Sequence, residues 1–472
     1  MEEEIEIERR VSQVMVESYA NMQPYLMENS EESLENLAKQ IRNYTIIVYS
    51  VAFATGVLQL AYYPNFYYFK DELKQPPNVY IRISAFVSYP WTIKPLFGFI
   101  EDWIMLLGYK AKIWLILSCI ISACVSALLF ISSPDPFEFT VLYLMINVGI
   151  VISDVMAQGL SVVIISLKKA HAEQLARSQK RRNTLMNLDI EESVTEGKKI
   201  FGNYTTLRFI IRTLGKFIGG VLAKTIRFGT VFAVIGSAQV IVMAIVIVVP
   251  EERKHKWLNN DAGSLCQKIL SFFKSISTKT IILAFVLVVL TRICPNVTDV
   301  GDFILTDEMK WTPFELSFNL FIAGIVYFVA MIYLVNLASK MKFMTKMYYG
   351  ACSFVFMNYL MYRFVFYENI SFGPMYLLTI ISTFASNFSS EIMMIAFIGR
   401  YSTVVPKGME SFCVAAVISL MNFSGIQGGT MGAALLSHYG VKKGTYENLV
   451  YPVAISFGYS VLALLTTPFL GK

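Results

Sequence analysis

Apolar positions run in long unbroken stretches along this chain, without the alternation that marks strands. Stretches long enough to cross a bilayer as helices, about 20 residues each, fall near 45–69, 78–100, 111–132, 137–166, 200–224 and 230–249. A second set falls near 280–303, 314–337, 347–367, 374–400, 410–436 and 448–469. The pattern predicts an all-α membrane protein of twelve transmembrane helices. A barrel is disfavoured because the runs are continuously apolar.

The polar intervals divide the chain. Residues 1–44 form an acidic N-terminal segment (Glu2, Glu3, Glu4, Glu6, Glu8) with no apolar core of a signal peptide. Residues 45–249 carry the first six spans, with a long loop at 167–199. Residues 250–279 form a linker whose amphipathic stretch, Leu265 to Lys274, can lie on a lipid surface. Residues 280–472 carry the last six. Most lysines and arginines fall on the side of both termini, the linker and the 167–199 loop. That asymmetry places both termini in the cytoplasm.

One polar pattern recurs. After span one the chain reads Lys70-Asp71-Glu72-Leu73-Lys74-Gln75-Pro76; after span seven it reads Asp307-Glu308-Met309-Lys310-Trp311-Thr312-Pro313. The shared Asp-Glu-apolar-Lys core at equivalent helix ends predicts two six-helix pseudo-repeats. Secondary transporters use such repeats, with the substrate held between them.

Composition agrees with the pattern. Residues are 55% hydrophobic and 16% charged, and the mean hydropathy is +0.53. Soluble domains carry about a quarter charged residues. Disordered chains, disulfide scaffolds and nucleic-acid binders are excluded as classes. The six cysteines form no CxxC pair and read as small hydrophobes, so no metal site is expected. No Walker loop appears, which disfavours ATP-driven transport. Neither a cofactor nor an enzymatic activity is expected. The expected partners are a small-molecule substrate and the lipid bilayer, with a proton or another ion as a coupling partner.

Ionisable groups inside a span are costly and point to function. In span four, Asn147, Asp154, Gln158 and Ser161 share one face; in span five, Thr205, Arg208, Arg212, Gly215 and Gly219 do. Asp154 and Arg212 lie at similar depth and Arg208 one turn shallower, so Asp154 is expected to pair with Arg212 or Arg208. In the second half, Glu391 and Asn387 of span ten share a face, and Arg292 of span seven lies within reach of Glu391. An arginine fork also suits a carboxylate ligand. Tyr63 and Asn65, with Tyr62 and Tyr67, can stack and read a planar heterocycle, or form an interfacial belt. Asp299 and Asp302 can bind a cation or cap a helix. Gly215, Gly219, Gly425, Gly428, Gly429 and Gly432 have the spacing of close helix contacts.

Span two ends Pro90-Trp91-Thr92-Ile93-Lys94-Pro95-Leu96-Phe97-Gly98, followed by Asp102, Gly108, Tyr109, Lys110 and Lys112. Glycine, aspartate four residues on, then Gly-x-Lys-x-Lys is similar to the cytoplasmic loop pattern of the major facilitator superfamily. Lys94, Gly98, Asp102, Lys110 and Lys112 are the gating-loop candidates. With Ser153-Asp154-Val155, Asp302-Phe303, Glu391-Ile392, Pro406-x-Gly408-Met409-Glu410 and the small residues of Asn422–Gly432, the chain resembles the folate–biopterin transporter family over roughly residues 60–440. The resemblance implies a major facilitator fold and secondary transport of folate, biopterin or a related pteridine by alternating access, as symport or exchange. The alternatives are a transporter of another small organic anion, or a transport-inactive scaffold or sensor. Where the family carries further acids after the span-four aspartate, this chain has Gln158 and Val163.

Overall fold

The computed structural model describes residues 30–103, 106–109, 111–180, 189–251, 282, 286, 289–297, 300–340, 343–366, 372–401, 410–442 and 446–470. Among these residues the only pairing outside helices is an isolated bridge, Leu106 with Tyr109. Eleven of the twelve expected spans coincide with described helices or helix pairs. Span seven is described at its inner residues 289–292 and through the helix Val300–Asp307. The linker from residue 252 onwards, with its amphipathic stretch, and the acidic residues 1–29 lie outside the described residues. One end of the bundle, the basic end, carries the lysine-rich intervals; the other is the far end.

Several boundaries differ from the sequence reading. Span one begins as a helix at Ser30 and runs to Val57. Span four continues to Lys180 as the single helix Pro136–Lys180, and span five starts at Asp189 in the helix Asp189–Leu222. Most of the expected 167–199 loop is therefore helix. Its Ala, Glu, Gln, Leu, Lys and Arg residues are good helix formers, so each span propagates beyond its apolar part. Span two is not one helix. It breaks between Pro77–Val87 and Lys94–Trp103 at a 3-10 turn, Tyr89–Thr92. Pro90 and Pro95 each lack an N–H and interrupt the ladder there.

The two halves repeat each other in detail. Lys70 and Thr306 occupy equivalent positions, 236 residues apart, and hydrogen-bond at 2.6 Å. At the same offset Lys74 and Lys310 both adopt positive φ, 51° and 59°. The backbone bonds before them also match. Leu73 N–H donates to Tyr68 O and Met309 N–H to Ile304 O; Gln75 N–H donates to Phe69 O and Trp311 N–H to Leu305 O. Each of these spans ends in the same widened turn closed by a left-handed lysine.

The glycines follow the repeat. Gly215 and Gly219 of span five lie against the span-one backbone at Gly56 and Leu60. Gly428 and Gly432 of span eleven lie against Arg292, Cys294 and Asn296 of span seven. At both contacts the partner helix leaves α geometry. Span one passes through a 3-10 turn at Leu58–Ala61. Span seven opens after Arg292 around Pro295, and Asn296 N–H donates to Gly428 O at 2.8 Å. With no Cβ in the way, the backbones approach closely enough for such bonds.

Two apolar cores result. The far-end core joins both halves: Phe66, Phe69 and Tyr80 pack with Phe303, Ile304 and Trp311. The basic-end core, with Ile47, Leu115, Val155, Tyr204 and Val246, is drawn from the first half alone among the described residues.

Candidate functional site

Span four carries Asp154 into the interior, where the residue is 0% exposed. Four donors converge on its carboxylate. Lys94 Nζ and Gln158 Nε2 donate to Oδ2, the latter at 3.0 Å. Tyr204 OH and Arg208 Nη1 donate to Oδ1, the latter at 2.5 Å. A carboxylate offers about four acceptor directions, and all are taken. A proton reaches this group only after one donor has left.

Among the described residues, the cluster holds two cations against one anion. Lys94 is 1% exposed, whereas the Arg208 side chain is 30% exposed. Trp91 lies beneath both cations, its ring 4.6 Å from Lys94 Nζ and 5.7 Å from the Arg208 guanidinium carbon. Its indole N–H donates to Asn147 Oδ1 at 3.0 Å. Three residues of the expected stripe of span four therefore act together: Asn147 accepts from Trp91, Asp154 holds the cations, and Gln158 donates to Asp154. Gln158 donates a hydrogen bond, which an ionised acid at this position could not do.

The structure selects among the sequence candidates. Arg208 takes the place at Asp154; Arg212, one turn nearer the far end, is exposed. Lys94 sits in the buried cluster and not with the loop residues of its motif. Gly98 is buried in the helix that follows. Lys112 Nζ donates to Ile247 O and Val249 O at 3.0 Å, capping span six, while Glu251 accepts from the N–H groups of Ala111 and Lys112. The side chains of Asp102 and Glu391, and residues Lys110 and Asp299, lie outside the described set. Arg292 donates to Ser390 Oγ, one residue before Glu391. Asn387 is half-buried in the same helix.

Tyr63 and Asn65 are interior, 0% and 7% exposed, so span one's aromatic stretch is core and not an interfacial belt. Tyr63 OH donates to Leu316 O of span eight at 3.2 Å. Asn65 Oδ1 has no hydrogen-bond partner among the described residues. Tyr63 also borders a cavity of about 120 Å3 shared with Asp302, Asn319, Thr379 and Thr383. No group of three or more metal-ligating side chains occurs among the described residues.

Three contributors escaped the sequence reading. Tyr204 and Trp91 carried no charge to flag them. Lys216, midway along span five, stacks over the Tyr62 ring at 3.9 Å; its position inside an apolar run was the available signal.

At the far end Lys70, 5% exposed, bridges the halves. It donates to Thr306 Oγ1 and pairs with Asp307 Oδ1 at 2.8 Å, while Tyr446 OH donates to Asp307 Oδ2 at 2.8 Å. Phe66 meets Phe303 at 4.9 Å and Tyr80 at 5.6 Å just inside this seal.

Residues 55–176, which include the Pro90–Lys94 turn and Asp154, match the BT1 family. A Synechocystis protein named folate-biopterin transporter is 21% identical over 438 residues, covering 90% of this chain and 81% of its own length. The chain is related to the folate–biopterin transporters. Folate transporter 1 of Plasmodium falciparum is also 21% identical, over 86% of this chain and 75% of its own. Among solved structures, the nucleoside transporter NupG (D323A mutant) superposes with a TM-score of 0.66 at 14% identity, covering 91% of this chain and 100% of that one. The POT family transporter PepTSo gives 0.63 at 10% identity, covering 91% and 97%. These two likenesses establish the fold, which is of the major facilitator type.

Proposed function

We propose that this protein is a secondary transporter of a pteridine carrying a carboxylate, of which folate is the first candidate. The basic end is cytoplasmic, as the lysine and arginine distribution indicates. The two six-span halves, 45–249 and 280–472, alternate access to a site between them. The observation that carries the substrate reading is the charge balance at Asp154. Among the described residues, Lys94 and Arg208 together exceed it by one positive charge, and Arg208 is the partly exposed member. A carboxylate ligand would complete that balance and accept from the guanidinium fork. Biopterin has no carboxylate, so the cluster favours folate over it. The names of the two relatives agree with this ligand class.

The test is uptake by liposomes reconstituted with the purified chain. Labelled folate is expected to accumulate faster than labelled biopterin, and an imposed pH gradient shows whether protons are coupled. Arg208→Gln should reduce folate uptake. Absence of uptake for both compounds would remove the proposal.

A further inference from the structure

The break in span two does more than carry Lys94. In a continuous helix the carbonyl of Trp91 would accept from the N–H of residue 95. That residue is Pro95, which has none. The local bonds step over the gap: Trp91 N–H donates to Ser88 O, Ile93 N–H to Pro90 O and Leu96 N–H to Ile93 O. The Trp91 carbonyl takes its donors from the other half of the molecule. Ser419 Oγ donates to it at 3.3 Å and Asn422 Nδ2 at 3.2 Å, both from span eleven. One residue thus faces two ways. Its ring lies under Lys94 and Arg208, and its carbonyl holds the opposite half.

We propose that Trp91, freed by Pro95, couples anion occupancy of the Lys94–Arg208 site to the contact between spans two and eleven. The inference rests on the anion reading given above. An anion that draws Lys94 or Arg208 from Asp154 shifts the charges packed on the indole. The 3-10 turn around it has few helical bonds to resist the shift, as expected of a hinge. Coupling of this kind is reciprocal: weakening the carbonyl contact alters the response to the anion, and the anion alters the contact.

The test uses the full chain in nanodiscs with Phe303→Cys as reporter. Phe303 is 0% exposed within the far-end seal, so its labelling rate reports opening there. Folate is the probe. In the reporter background, saturating folate is expected to change the labelling rate about fivefold or more. In Ser419→Ala/Asn422→Ala, that ratio should fall towards one. Pro95→Ala, which restores the missing N–H, should do the same without touching span eleven. Asn78→Ala removes a different bond between the same spans, Asn78 Nδ2 to Ser437 Oγ at 2.8 Å, and should leave the folate ratio intact. Ser419→Thr, which keeps the hydroxyl, should also keep it.

A folate ratio unchanged in both Ser419→Ala/Asn422→Ala and Pro95→Ala would overturn the coupling. If the parent shows no folate-dependent thermal shift, the substrate reading fails and the coupling is read from charge alone. Arg208→Gln should then change labelling in the parent but not in the Ser419→Ala/Asn422→Ala background. Equal effects in the two backgrounds would overturn it.

Discussion

Asp154 is held by four donors from spans two, four and five, and its loss strands them. Asp154→Asn leaves Lys94 buried at 1% exposure without an anion. Breaking one partner from a buried ion pair costs about 3–5 kcal/mol. A large drop in melting temperature is therefore expected, measured on the purified chain without substrate. Arg208 behaves differently. Its side chain is 30% exposed, and Asp154 keeps Lys94, Tyr204 and Gln158 when it goes. Arg208→Gln should change melting little while weakening folate binding about tenfold or more, as lost hydrogen bonds to charge do. Isothermal titration separates the two effects. The Asp154–Arg208 pair was legible because two costly charges sat near one depth in neighbouring spans. Lys94 was not: the motif groups it with the loop that follows span two, and only the break at Pro90 shows that it turns inward.

At the scale of helices, the spans were readable from apolar runs because lipid demands about 20 such residues. Their breaks were readable only in part. Pro90 and Pro95 announce the turn in span two, but no proline lies at Leu58–Ala61 in span one. There the departure from α geometry comes with the close approach of Gly219, whose missing Cβ lets Leu60 O come near. Gly219→Ala and Gly432→Ala place a carbon against backbone carbonyls that cannot rotate away. Each should destabilise the protein by about 1–3 kcal/mol. Gly425 has nothing within 4 Å of its added carbon, and Gly425→Ala should be neutral. Thermal unfolding of the three variants, side by side, checks the contrast between positions that share one sequence spacing.

For the whole molecule, the far end is closed by a core common to both halves and by Lys70 between Thr306 and Asp307. Sequence showed the recurring Asp-Glu-apolar-Lys pattern but not which ends meet, since that depends on the state of the two halves. Lys70→Asp and Asp307→Lys should each open this end, by placing like charges together. The double exchange should close it again. Spin labels at Glu72 and Glu308, exposed equivalents on the two halves, would report longer and broader distances in the single variants and a return in the double. A distance distribution unchanged in the single variants would deny the ion pair a part in the seal.

The contact between Lys70 and Thr306 also limits how alike the two halves can be. Equivalent residues that touch must straddle the pseudo-two-fold axis, and there each meets its own copy. If both halves carried the lysine, it would face its own copy at that point, and the two charges would repel. Two lysines at these positions cannot both stay charged and close. Threonine at 306 avoids that clash by accepting from Lys70, and Thr306→Lys would restore the symmetry at the cost of the seal.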